Sequence, residues 1–305
     1  MHAFITGGRG FVGPWLCRHL EAAGDTVTVA DADVDVTDSA AVVAAIGDAA
    51  PAALYHLAAQ SSVHSSWDDP GATYEVNVLG TVNVLAAVRR VAPGARVLLV
   101  SSAEVYGAVA PGELPVSEDA PFRPATPYAA SKAAAEMAGL QAHYGGGLDV
   151  IRVRPFNHIG PGQSPRFFVA SMAQQIVAAA ANGARELRTG NLAVGRDFCD
   201  VRDVVRAYRL LVARGRPGDV YNVCSGRSVT LDRVVRLLLD LNGSDLAVTT
   251  DPERLRPVDM PDLCGDPTRL RAATGWQPEF SLPQTLADVL ADWQGQPAAP
   301  SRSPG

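Results

Sequence analysis

The sequence predicts a two-domain α/β fold, a doubly wound parallel sheet with a smaller C-terminal domain. Three observations carry that expectation. A short apolar strand, His2–Thr6, runs directly into a glycine turn and a helix. Apolar strands then alternate with helical stretches as far as Asp149–Arg154, the pattern of a parallel sheet covered on both faces. Finally, Arg196–Arg214 and the apolar Val220–Val223 read as a return to that first core, so the smaller domain is discontinuous. The expected division is 1–156 plus about 189–224 for the sheet domain and about 157–188 plus 225–293 for the smaller one, with a disordered tail of Pro, Ser, Ala and Gly over 294–305.

Composition narrows the function before any motif does. The chain has 305 residues, 47% hydrophobic and 19% charged, enough to bury one large or two unequal cores. With 32 acidic against 26 basic residues and no block of either sign, nothing supports a nucleic-acid footprint. His2–Thr6 runs straight into a glycine turn, so no secretory signal is expected, and no apolar run approaches the ~18 residues of a membrane span. Cys17, Cys199, Cys224 and Cys264 are far apart and form no C-x-x-C pair, which suits reduced thiols in a cytoplasmic protein. Metal-ligand spacing is also missing, so no metal is expected.

The first third reads as a nucleotide cradle. Gly7 permits a tight turn, Gly10 lets the backbone approach a pyrophosphate, and Gly13 lets the helix pack on the strand. The turn, with Phe11 and Val12 at the start of the helix, directs freed amides and the helix dipole at phosphates. The second strand, Thr26–Ala30, ends at Asp31, where a carboxylate would accept from both adenosine ribose hydroxyls and repel a 2′-phosphate. That favours NAD(H), with NADP(H) possible; Asp33 and Asp35 crowd the same segment and could take the role. Thr37 or Asp38 caps the next helix. Leu54–Ala59 is a strand running into small residues, so Leu57, Ala58 and Ala59 would let a cofactor lie against the backbone. His56 and His64 read as structural or peripheral.

The middle carries the chemistry. Tyr74–Val91 has the apolar spacing of a long helix. Arg96–Val100 is a strand ending in Ser101-Ser102-Ala103-Glu104, at the carboxyl edge where ligands of such sheets gather. Beyond a loop rich in Gly, Pro and charge stands Thr126-Pro127-Tyr128-Ala129-Ala130-Ser131-Lys132. Lys132 is the one lysine among 26 basic residues, which suggests a need for a compact ammonium with a movable pKa. Tyr128 lies one helical turn before it, and a neighbouring ammonium should draw the phenol's pKa down toward neutrality. Tyr128 is therefore a candidate general acid/base.

Together the glycine turn, Ser102, Tyr128 and Lys132 resemble the extended short-chain dehydrogenase/reductases, the NAD-dependent epimerase/dehydratase family that works on nucleotide sugars. Arg154–Gln163, Gly190-Asn191-Leu192 with Arg196–Asp203, and Val220–Gly226 with Leu255-Arg256-Pro257 and Thr274–Pro278 are similar to its GDP-4-keto-6-deoxymannose reductases. The resemblance implies a Rossmann sheet, redox chemistry at sugar C4 and a homodimer built on a four-helix bundle. It makes Tyr128 the proton donor to O4, Ser102 the O4 anchor and Lys132 the holder of the nicotinamide ribose and of the phenol's pKa. Asp35, Val36 and Pro155 join the cofactor set; Ser61, Ala103, Glu104, Asn157 and Arg166 join the substrate set, with Glu104 also among the catalytic residues, as the glutamate that GDP-mannose dehydratases use at the matching place, and Arg196 and Arg256 bracket a diphosphate. A GDP-sugar is the favoured substrate, reduced as in GDP-rhamnose formation, with an NAD-retaining 4-epimerase or a 4,6-dehydratase as alternatives. Ala103 stands where dTDP-glucose dehydratases carry Asp, which counts against that branch. The short Asp31–Asp38 segment, lacking a basic residue, departs from an NADPH enzyme.

Overall fold

The computed structural model, which describes residues 1–30, 33–254 and 260–295, has a six-stranded sheet in its larger part and a four-stranded and a two-stranded sheet beyond it. The larger part runs β1 His2–Thr6, α1 Val12–Ala22, β2 Thr26–Ala30, α2 Ser39–Ala49, β3 Ala53–His56, α3 Val63–Asp68, α4 Pro70–Tyr74, α5 Gly80–Val91, β4 Arg96–Val100, α6 Pro127–Tyr144 and β5 Val150–Pro155. There follow β6 Asn157–Ile159, α7 Phe168–Asn182, β7 Glu186–Thr189, β8 Gly195–Asp200, α8 Val201–Arg214, β9 Val220–Val223 and β10 Ser228–Thr230. The chain continues with α9 Leu231–Asn242, β11 Ala247–Thr250, β12 Asp262–Leu263, α10 Thr268–Thr274 and α11 Leu282–Gly295.

Six strands form one parallel sheet in the order β2-β1-β3-β4-β5-β9. The order reverses between β2 and β3 around β1, and at that switch point the strand ends part to leave a crevice. Strand alternation sorts the core into two layers. Ala3, Ile5, Leu98, Ile151 and Val153 pack under α1, α8 and α10. Phe4, Leu54, Val97, Leu99 and Val150 pack under α2, α5 and α6. Such double-sided burial is why these strands read as continuous apolar runs.

The second part has its own core of Val169, Ile176, Leu187, Val234, Leu238, Leu286 and Val289. Gly195–Asp200, expected within the sheet domain, pairs instead with β10, β12 and β6. Its buried Asp197 explains the placement: the carboxylate accepts from Ser225 N at 2.8 Å, Ser225 Oγ at 2.6 Å and Gly226 N at 3.0 Å, all in the loop before β10. Then α8 and β9 return to the first sheet. Helix α11 reaches Gly295, so Gln294 and Gly295, expected in a disordered tail, are helical, and the rest of that stretch lies outside the described residues. The long helix expected from Tyr74 begins at Pro70 and is interrupted by a π-turn at Glu75–Leu79. Among the described residues, no helix is long and apolar enough to cross a membrane.

His56 proves structural. Its Nδ1 lies 2.7 Å from Thr6 Oγ1 and its Nε2 3.0 Å from Thr81 Oγ1, whose own proton goes to Asn77 O. A neutral ring protonated at Nε2 satisfies every partner. Burial, with the Lys132 charge adding to it, pulls the imidazole down to about 3. The unfolded chain takes up a proton near pH ~6.5 that the folded chain refuses. Stability is therefore whole above that value and falls as pH drops toward 3. Between pH 6 and 5 the native protein should lose ~1 kcal/mol more than His56→Gln, as read from urea titrations at each pH. Parallel curves for the two proteins would contradict this.

Candidate active site

A cavity of about 1140 Å³ lies along the carboxyl ends of the first sheet and opens toward the second part. Its inner end is built by two elements. Ser102, which leaves β4 in extended conformation, caps the short helical turn Ala103–Tyr106 by accepting from Glu104 N. Opposite, Thr126 caps α6 by accepting from Ala129 N at 3.0 Å, and Pro127 occupies the first turn, where it needs no partner. This fixes the start of α6 so that Tyr128 and Lys132, one turn apart, both face the cavity.

The protonation of that pair corrects the expectation. Enclosure pushes the Tyr128 phenol up to about 12; its hydrogen bond with Ser102 opposes the rise, and the Glu104 charge adds to it. Lys132 is pulled down to about 8 by burial, against the charge of Glu136. The sequence shows that an ammonium follows the phenol but not that the fold half-buries the phenol and buries the ammonium, and burial wins. At neutral pH the site holds a protonated phenol beside an ammonium.

The glycine turn is placed as foreseen, with one difference. Gly7 has φ +67°, and a Cβ there would lie 2.7 Å from the backbone of Ala58. At Gly13 a Cβ would fall 2.0 Å from Gly8 O, so this glycine lets the helix close on the turn itself, not on the strand. Gly10, Phe11, Val12, Asp35, Val36, Leu57, Ala58, Ala59 and Pro155 all line the cavity. Asp35 keeps its carboxyl below the usual range by accepting from Thr37 N and Thr37 Oγ1. Asp38 is the cap of α2. The cradle fits a dinucleotide: the backbone is bare at Gly7 and Gly10, and the small residues 58–59 face it.

On the substrate side, Ser61, Ala103, Glu104, Asn157, Arg166 and Arg196 line the same cavity. Arg196 is buried and donates from Nη1 to Gly195 O at 2.6 Å and Met260 O at 2.8 Å. Asp31 and Arg256 lie outside the described residues. Cavity-lining residues without a role in the sequence reading include His158, stacked parallel to Phe11 at 6.0 Å, and Gln163. The main residue missed is Asn77, on the π-turn. It accepts from Gln60 N at 2.8 Å and donates to Gln60 O at 3.1 Å and Ser131 Oγ at 2.9 Å, while Ser131 Oγ donates to Tyr128 O. Asn77 thereby ties the loop after β3 to the first turn of α6. Nothing local marks it out, since the same helical stretch also carries Asn83. No group of His, Cys, Asp and Glu among the described residues could hold a metal ion.

The family model described as GDP-mannose 4,6 dehydratase matches residues 29–289. The chain belongs to this family of extended short-chain dehydrogenase/reductases. It is 39% identical to the GDP-6-deoxy-D-mannose reductase of Pseudomonas aeruginosa, covering 96% of this chain and 97% of that one. It superposes with a TM-score of 0.88 on the structure described as RMD from Pseudomonas aeruginosa complexed with NADPH, at 38% identity over 96% and 97% of the two chains. Family members of other activity fold alike: the UDP-glucose 4-epimerase of Thermus thermophilus, in complex with NAD, gives a TM-score of 0.87 at 30% identity, over 97% of this chain and 99% of that one.

Proposed function

We propose that this protein is a nucleotide-sugar oxidoreductase acting at sugar C4, reducing a GDP-4-keto-6-deoxyhexose to a GDP-6-deoxyhexose such as GDP-rhamnose. The observation that carries the reading is Ser102, Tyr128 and Lys132 at one end of a dinucleotide-sized cavity, in a chain so similar to a reductase. When bound, a nicotinamide dinucleotide supplies the hydride for C4. The chain's own residues manage the proton. Ser102 holds O4, and Tyr128 gives O4 its proton as negative charge builds there. A phenol that rests protonated, at about 12, is ready for that donation. In the reverse oxidation the same group, ionised, would be the base. Lys132, still charged at neutral pH, then stabilises the phenolate. Arg166 and Arg196 line the cavity where guanidinium groups suit diphosphate oxygens.

NADH is our first choice of reductant, because a carboxylate, Asp31 or the cavity-lining Asp35, would meet a 2′-phosphate. Arg9, in the glycine turn, lies outside the Asp31–Asp38 segment, which carries no basic residue. We assign sugar recognition to the smaller part of the chain and dinucleotide binding to the larger. The test supplies a GDP-4-keto-6-deoxyhexose and follows absorbance: one NADH should be oxidised per sugar reduced, more slowly with NADPH. A protein that carries NAD and interconverts nucleotide sugars with no net absorbance change would be a 4-epimerase instead.

We also propose a homodimer through α5 and α6. Leu79, Val82, Met137 and Tyr144 are all more than two-fifths exposed, and a shallow hollow lined by Val82, Ala86 and Ala138 lies between the two helices. Pairing with a second copy would make a four-helix bundle and bury this face. Sedimentation at micromolar concentration should give a dimer; a monomer there would overturn the assignment.

A further inference from the structure

Tyr208 on α8 sits in the layer under α1 and α8 and is only 1% exposed, yet it lines the cavity with Val100 and Pro155. Strand alternation puts all three on one side. Leu98 and Val153 belong to that layer, so Val100 and Pro155, two residues further along β4 and β5, point the same way. Tyr128 enters from α6, which covers the opposite face of the sheet. The two phenols thus flank the carboxyl ends of β4 and β5 from opposite sides, and both line the cavity.

No hydrogen bond reaches the Tyr208 hydroxyl from any described residue. The ring is buried but its hydroxyl is not sealed away with it: it reaches the cavity, and tyrosine is a poor choice for a purely apolar wall that phenylalanine would fill. A ligand group in the cavity is the partner this hydroxyl lacks. Between the phenols lies the stretch of cavity floor that Lys132 and Tyr128 face, where the reacting end of a dinucleotide must come.

We propose that Tyr208 is a positioning residue for the dinucleotide, its hydroxyl hydrogen-bonding the nicotinamide carboxamide and holding the ring against Val100 and Pro155 with one face turned to Tyr128. The proposal rests on the reading of the protein as a nicotinamide-dependent oxidoreductase. It also supplies a reason for stereospecific hydride transfer, because a ring anchored by its carboxamide cannot turn over.

Calorimetric binding of NADH and of ADP-ribose, which lacks the nicotinamide, tests this in wild type and Tyr208→Phe. The variant should bind ADP-ribose as wild type does and NADH about tenfold more weakly, the loss of one hydrogen bond. Deuteride transferred from the two C4-labelled forms of NADH should come from a single ring face in wild type and from both in the variant. Unchanged NADH affinity, or an equal loss for NADH and ADP-ribose, would overturn the proposal. Retained ADP-ribose binding shows that the variant is folded. A wild-type protein that binds neither compound would overturn the oxidoreductase reading itself.

Discussion

Replacing Tyr128 by phenylalanine should lower turnover of a 4-keto sugar by ~10²–10⁴-fold, the usual contribution of a positioned general acid, while leaving dinucleotide binding nearly intact. Only the hydroxyl is removed; the ring that lines the cavity and the cap at Thr126 remain. Steady-state rates with NADH and a GDP-4-keto-6-deoxyhexose give the answer, with a binding titration of the same sample as control. Retention of more than about a tenth of the rate would mean that water or another group delivers the proton. The native rate should also decline as pH rises past about 8, where Lys132 loses the charge that steadies the phenolate.

Glu136→Gln should have the largest effect on stability. Glu136 stands one turn beyond Lys132 on α6, fully buried, and both its oxygens are engaged by two arginines of β5. Arg152 Nη1 donates at 3.1 Å, Arg154 Nη2 at 2.7 Å and Arg154 Nε at 3.0 Å. Arg154 further donates to Tyr106 Oη and Glu118 O and lies over the Phe122 ring. Removing the single anion leaves two buried guanidinium groups without their counter-charge, a change that typically costs ~3–5 kcal/mol. Guanidinium chloride unfolding should register that loss as a lower midpoint with an unchanged slope. A loss below about 1 kcal/mol would show that the arginines find other acceptors and that the anchor of α6 on β5 lies elsewhere.

Local sequence made the fold and much of the site legible, and burial set the limit. The glycine turn, the strand-end serine and the Tyr128–Lys132 spacing are short-range patterns, and each reaches the cavity as read. The phenol's proton was misjudged because its affinity depends on enclosure by distant elements, which spacing cannot report. Gly195–Asp200 was misplaced for a related reason. With Arg196, Asp197 and Asp200 in six residues it does not look like a buried strand, and it is one because loops from elsewhere satisfy its charges. Asn77 looked like one more polar residue on a helix, since a π-turn has no local signature.

That π-turn has a further consequence, for insertions and deletions. One turn of i→i+5 bonding holds a residue more than an α-helical turn, with little disturbance of the helix on either side. Loss of one residue within Glu75–Leu79 should therefore let α4 and α5 join as an unbroken helix, while the residue left opposite Gln60 and Ser131 no longer points as Asn77 does. Here the length of the chain separates the architecture, which can spare a residue, from the alignment of the acid/base helix, which cannot.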